Sequence, residues 1–404
     1  MSFKNFFCAG IFLLAVLTSP QQASLAQELC TFRVAGSHEY VFNQRVAIWA
    51  NIESPSPVID VTIFLKSEDD YQAISQPAAR NSEGFFSSSF DLSSKEFVPF
   101  SQVYYWFHLE LADGSSCLSA SVSFSYVDNR FEWQTLSSGV FNIHWYAGEI
   151  TFGQAILDTA VKAVPYIQQI IPLPIPNTTD IYVYASKADL FPALPLEGSR
   201  WSSGHANPIL DVIVLSLPPD DPESHLDMDR ILPHEIAHLM LSVYANDQIS
   251  SIPLWFNEGL ASLAEFFPDP DRQLLLEAAR AEDSLLPLVS LCETFPPDAS
   301  QQSLAYAEAA DFMRYLSNQY GAAGLSTLAD AFLQGSSCEN GTLAAFGDTL
   351  GQMEKKWLSA SGGGDNLIGG ITEALPSMLI FLIPLIIPAW LILARLRSVN
   401  RSEE

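Results

Sequence analysis

Arg230-Ile-Leu-Pro-His234-Glu235-Ile-Ala-His238 and, beyond it, Pro253-Leu-Trp-Phe-Asn257-Glu258-Gly-Leu-Ala-Ser262 are the two blocks from which the rest of the chain is read. His234, Glu235 and His238 form H-E-x-x-H. On a helix, positions i and i+4 lie on one face, so the two imidazoles can meet one Zn²⁺ at about 2.0–2.1 Å each. Glu235 sits beside the first of them, where its carboxylate reaches a metal-bound water. A catalytic zinc needs a third protein ligand and one open position. Glu258 follows 20 residues after His238, a separation that suits a helix, a turn and the return of a second helix. The bland reading of H-E-x-x-H is a helix with two half-buried histidines and no metal. The Asn-Glu-Gly block at this distance argues against it.

His-Glu-Ile-Ala-His followed by Trp-Phe-Asn-Glu-Gly-Leu-Ala-Ser resembles the gluzincin zinc metallopeptidases, most closely their peptidase MA-like branch. The resemblance covers both blocks and, less distinctly, residues 140–358. It implies that His234, His238 and Glu258 are the zinc ligands and that Glu235 is the general base. It also implies a tyrosine, on a helix after the third ligand, that steadies the oxyanion. Tyr306 matches by placement; Tyr315 is the weaker option, because its neighbours read as a packed helix face. Members of the family place a sheet edge above the active-site helix, and the segment Trp201–Leu217 is expected to supply it. His205 lies in that segment and reads as an ordinary turn residue. The Gly-x-Met-x-Asn motif of the resembling aminopeptidases does not precede His234, which tilts the expectation towards an endopeptidase.

At 404 residues the chain exceeds one ordinary core, so two domains with appendages are expected. The formal net charge of −27 argues against a nucleic-acid partner, whose phosphates need Lys and Arg. It also disfavours docking on anionic lipid. Lys4, the apolar run Phe6–Leu17 and the small residues up to Ala26 read as a secretory signal peptide. Four cysteines remain once Cys8 leaves with that leader. An even count in an exported chain suggests disulfides, and Cys30–Cys117 with Cys292–Cys338 keeps each pair inside one domain.

Residues 30–128 read as strands. Val103, Tyr105, Phe107, Leu109 and Leu111 alternate with polar and aromatic neighbours, and a second run follows Asp113-Gly114. Period two means one buried and one wet face, and several such runs with turn signals between them suggest an antiparallel sandwich. The exposed aromatics Tyr104 and Trp106 read as half-buried packing rather than a binding face. After Arg130 the pattern becomes mixed α/β. The acidic run Asp220–Asp229 reads as a solvated loop with a helix cap. The active-site helix is expected from Met228 to Ala245, with Pro233 tolerable only near its first turns. Ser262 and Glu265 share a helix face with Glu258 and are candidates to orient a ligand histidine. Residues 375–394 carry no charge over a length that crosses a ~30 Å hydrocarbon core, and Arg395, Arg397 and Arg401 follow, as for a cytoplasmic flank.

The expectation is therefore a multidomain chain. A signal peptide (1–26) precedes an N-terminal antiparallel β-sandwich, immunoglobulin-like (27–128), and an α+β, thermolysin-like gluzincin peptidase domain (129–358). A Ser/Gly-rich linker (359–372), a C-terminal transmembrane helix (373–394) and a cytoplasmic tail (395–404) complete it. The expected function is that of a membrane-anchored extracytoplasmic zinc metallopeptidase acting on a peptide or protein substrate, with a zinc-activated water and Glu235 as base. The alternative is a catalytically inactive surface-tethered binding protein.

Overall fold

The period-two stretches of the N-terminal region become strands in the computed structural model, which describes residues 29–68, 72–92, 97–194 and 204–363. The chain divides into two compact units at Val127/Asp128. In the first, β1 (Arg33–Val41), β2 (Arg45–Glu53), β3 (Val58–Ser67), β4 (Ile74–Pro77), β5 (Ala79–Arg80), β6 (Phe86–Asp91), β7 (Gln102–Leu111), β8 (Ser116–Leu118) and β9 (Val122–Ser125) follow one another. They form two antiparallel sheets, ordered β1-β2-β6-β5 and β4-β3-β7-β8, with β9 also paired to β7. The alternate residues Val103, Tyr105, Phe107, Leu109 and Leu111 of β7 are buried. Trp106 stacks on its cross-strand neighbour Phe64 at 5.4 Å. Such pairs are the unit of sheet stabilisation. A disulfide joins Cys30 to Cys117 in β8.

The second unit opens with β10 (Gln134–Ser138), β11 (Phe141–Trp145), α1 (Ile150–Ile170), β12 (Thr179–Tyr184), α2 (Lys187–Leu190), β13 (Gly204–Asn207) and β14 (Val212–Ser216). The five strands form one mixed sheet, β10-β11-β12-β14-β13, with β11, β12 and β14 parallel and the two outer strands antiparallel. Parallel neighbours need a crossover connection, and α1 supplies it between β11 and β12. Its buried stripe of Ile156, Leu157, Ala160, Ala163 and Ile167 joins Ile143, Trp145, Ile181 and Val183 in one core. The remainder is helical: α3 (Ser224–Ala245), α4 (Leu254–Ala264), α5 (Pro270–Ala281), α6 (Ala299–Leu333), α7 (Cys338–Phe346) and α8 (Leu350–Gly363). α6 is broken at Gly321, whose φ of 64° lies in the left-handed region that only glycine enters freely. The second disulfide, Cys292–Cys338, ties the loop before α6 to the start of α7.

The expected fold class is corrected here. The chain has an N-terminal β-rich region and a C-terminal domain that is helical beyond its one five-stranded sheet. Among the described residues no helix is long and apolar enough to cross a membrane. α6 has the length, at 35 residues, but Asp311, Arg314 and Asp330 give it the polar faces of a globular helix. The expectation of a spanning helix rested on segment 373–394, which lies outside the described residues. So do the leader 1–26 and the tail 395–404. α8 runs to Gly363, into the stretch whose Ser/Gly composition reads as linker; residues 364–372 lie outside the described ones.

Candidate metal and catalytic site

α3 starts at Ser224, a turn earlier than the sequence suggests, so Pro233 is inside the helix rather than at its start. A proline has no N–H for the carbonyl four residues back. That carbonyl, on Asp229, instead accepts the N–H of Phe266 at 3.0 Å. The bond anchors the chain just after α4, next to Glu265. α4 begins after Pro253, whose carbonyl accepts the N–H groups of Phe256 and Asn257 at 3.0 and 3.1 Å. It buries Trp255, Phe256, Leu260, Ala261 and Ala264. Gly259 lets it touch α6: a Cβ there would lie 2.5 Å from the Ala309 carbonyl oxygen.

These two helices bring His234, His238 and Glu258 together, with one ligand atom from each within 4.8 Å of the others. Glu258 Oε2 is 3.5 Å from His234 Nε2 and 3.6 Å from His238 Nε2. The far nitrogens are engaged elsewhere. His234 Nδ1 lies 3.1 Å from Glu265 Oε1, and His238 Nδ1 lies 2.8 Å from Asn257 Oδ1. A carboxylate or amide oxygen only accepts. Each Nδ1 therefore carries a hydrogen, and each Nε2 faces the shared point. Second partners of this kind orient metal-binding imidazoles. Two imidazole nitrogens and a carboxylate oxygen converging on one point are the donor set that Zn²⁺ takes, each ring binding in its neutral form. The residues present fit the ion.

The surroundings are anionic. Burial alone pushes His234 down, but the carboxylates of Glu258, Glu265 and Glu235 lift it to about 10. Burial works to raise Glu258, and the His238 and His234 rings with Arg272 hold it below the usual range instead. Glu235 is buried and lines the same cleft, of about 650 Å³. Tyr306 reaches that cleft from α6. Burial first, then the Glu258 charge, pushes its hydroxyl well above the usual phenol range. Tyr315 stacks on Phe312 instead.

Other residues at the site carried little or no signal. Glu265 donates nothing and accepts from Arg272 at 2.9 Å as well as facing His234. Ser262 touches that same Arg272 at 3.3 Å, not a histidine. The Arg272 guanidinium also lies over the Tyr306 ring, 5.6 Å from its centre. Asn257 had only its place beside Glu258 to mark it, and Arg272 had no mark at all. His205 is in strand β13 and lines the cleft, where the sequence suggests an ordinary turn. Gly204 before it lies against Glu235: a Cβ there would be 3.0 Å from Glu235 Oε1 and 2.5 Å from Ile231 Cγ2.

Residues 159–361 match the family described as the Peptidase MA superfamily. No curated protein matches the chain. Among solved structures, a polysaccharide deacetylase from Bacillus cereus is 9% identical over 43% of this chain and 58% of that one, with a TM-score of 0.21. A purple acid phosphatase from yellow lupin (Lupinus luteus) seeds is 11% identical over 46% of this chain and 35% of its own, with a TM-score of 0.20. A family 56 carbohydrate-binding module, a β-1,3-glucan binding domain, is 12% identical over 23% of this chain and 98% of its own, with a TM-score of 0.18. At these scores the three carry no argument about fold or activity.

Proposed function

Because the chain belongs to the peptidase MA superfamily, we propose that it is a zinc-dependent metallopeptidase that hydrolyses peptide bonds outside the cytoplasm. The observation that carries the reading is the convergence of His234, His238 and Glu258 within 4.8 Å, each imidazole turned by its own partner, Glu265 or Asn257. His234 and His238 through Nε2, and Glu258 through its carboxylate, would hold the ion. Zinc bound by such a set acidifies water and polarises a carbonyl.

The chain's own groups do the rest. Glu235 takes a proton from the attacking water and hands it to the leaving amine nitrogen. Tyr306 remains a protonated phenol at neutral pH, because its hydroxyl is held well above the usual range. It donates to the oxygen that becomes negative on the scissile carbonyl. Arg272 and Glu265 keep His234 in register. The absence of a Gly-x-Met-x-Asn motif before His234 favours an endopeptidase. Two disulfides favour an oxidising compartment.

The test is metal content and turnover of the full chain beside two variants. Glu235→Gln is expected to keep about one zinc per chain and to lose cleavage of a random peptide library read by mass spectrometry. Glu258→Ala is expected to lose the zinc. A Glu235→Gln protein that cleaves as fast as its parent, or a parent without zinc, would sink the reading.

A further inference from the structure

Resting on the peptidase reading, the charges around the cleft name a substrate class. Residues 128–363 carry 30 acidic against 10 basic side chains, so most of the chain's negative charge belongs to the unit that holds the site. Within the cleft the charges form one unbroken chain of pairs. Asp227 meets Arg230 at 2.9 Å. Arg230 and Arg272 both approach Asp269, at 3.6 and 3.7 Å, and Arg272 closes on Glu265 at 2.9 Å. Three acids thus face two cations, and both cations are already committed.

An anionic side chain entering the cleft would compete with Asp227, Asp269 and Glu265 for the two guanidiniums, against the field of the whole unit. A cationic one meets carboxylates at the lining, with Asp227 the most open of them, its side chain 39% exposed. A divalent ion on His234, His238 and Glu258 changes little of this, because Glu258 and Glu235 together balance its two charges. An excess of one sign of charge in and around a cleft concentrates the opposite sign and speeds its capture, while like charges reject the wrong partner. We propose that the cleft selects cationic peptides, those with Lys or Arg flanking the bond that is cut.

The experiment uses the full, zinc-loaded chain and two quenched-fluorescent peptide libraries. They share a randomised centre and differ only in fixed Lys or fixed Glu on both sides of it. The Lys library is expected to be cut with a kcat/KM about tenfold higher at low salt. The ratio should shrink to within about twofold near 0.5 M salt, where charges are screened beyond a few ångströms. Equal rates, a preference for Glu, or a ratio that salt leaves unchanged overturns the inference and leaves the peptidase reading standing, provided Glu235→Gln abolishes the cleavage. A parent that cuts neither library overturns the peptidase reading, and this inference with it.

Discussion

At the scale of single residues, the site depends on groups that hold other groups. Glu265 is buried and shares its oxygen between His234 Nδ1 and Arg272. Removing it as Glu265→Ala frees the imidazole and leaves Arg272 without that partner. Zinc affinity, measured by competition with a chromophoric chelator, is expected to fall about 10- to 100-fold, with the fold retained. Gly204 acts by having no side chain. Gly204→Ala would place a methyl 3.0 Å from Glu235 Oε1 and 2.5 Å from Ile231 Cγ2. The expected result is a kcat lowered about 100-fold, as small misplacements of a catalytic group allow, with zinc content unchanged. Gly204→Ala with Ile231→Ala removes the second clash and not the first. It should therefore recover thermal stability and not kcat; recovery of both would place the effect in packing alone. Of these residues only Glu265 was legible beforehand, since it shares a helix face with Glu258. Gly204 meets Glu235 across the gap between a strand and a helix, which no local period describes.

At the scale of elements, helix pairs rather than single helices build the site. α3 is interrupted chemically at Pro233, and the carbonyl released there fastens the end of α4 through Phe266. α6 brings Tyr306 to the cleft and also carries Glu308, which is fully buried. One Glu308 oxygen accepts the Leu286 N–H at 2.8 Å, and the other has no partner among the described residues. Burial, aided by nearby Glu354, pushes its carboxyl up to about 7 from an ordinary 4.5. The folded state therefore holds a proton that the unfolded chain has already released between those values. The sign follows: stability is full below pH 4.5 and declines as pH rises towards 7. Glu308→Gln keeps the acceptor for Leu286 and cannot ionise. Chemical denaturation from pH 5 to 8 should show a decline of about 2 kcal/mol in the parent beyond that of the variant. Parallel curves would refute the assignment. The two histidines on one helical face were readable, because helix periodicity is local. The true start of α3 was not, because Pro233 looked like a boundary until a partner for the Asp229 carbonyl was in view.

At the scale of the whole molecule, each unit carries its own disulfide. Cys292–Cys338 spans a sequence separation of 46 residues and lies beside the core, where Trp255 donates its indole N–H to Cys338 Sγ at 3.2 Å. Closing a loop of that length stabilises by about 3–4 kcal/mol in the chain-entropy account. Cys292→Ser with Cys338→Ser should accordingly lower the melting temperature of the second unit, and reductant should add nothing further to that unit's loss. An unchanged melting temperature would show that packing alone holds α7. Alternation along β7, the even cysteine count and the H-E-x-x-H and Asn-Glu-Gly blocks determined, from the sequence alone, a β-rich start, two cross-links and a His-His-Glu group. Each is set by a repeat of two or four residues, or by side-chain chemistry that does not depend on the surroundings. Only the tertiary structure decided that Asn257 and Glu265 turn the two imidazoles, that Arg272 backs one of them, and that Gly204 lies against Glu235. Those contacts join elements far apart in the chain, and their geometry exists only once the packing of α3, α4, α5 and the sheet edge has fixed where each element lies.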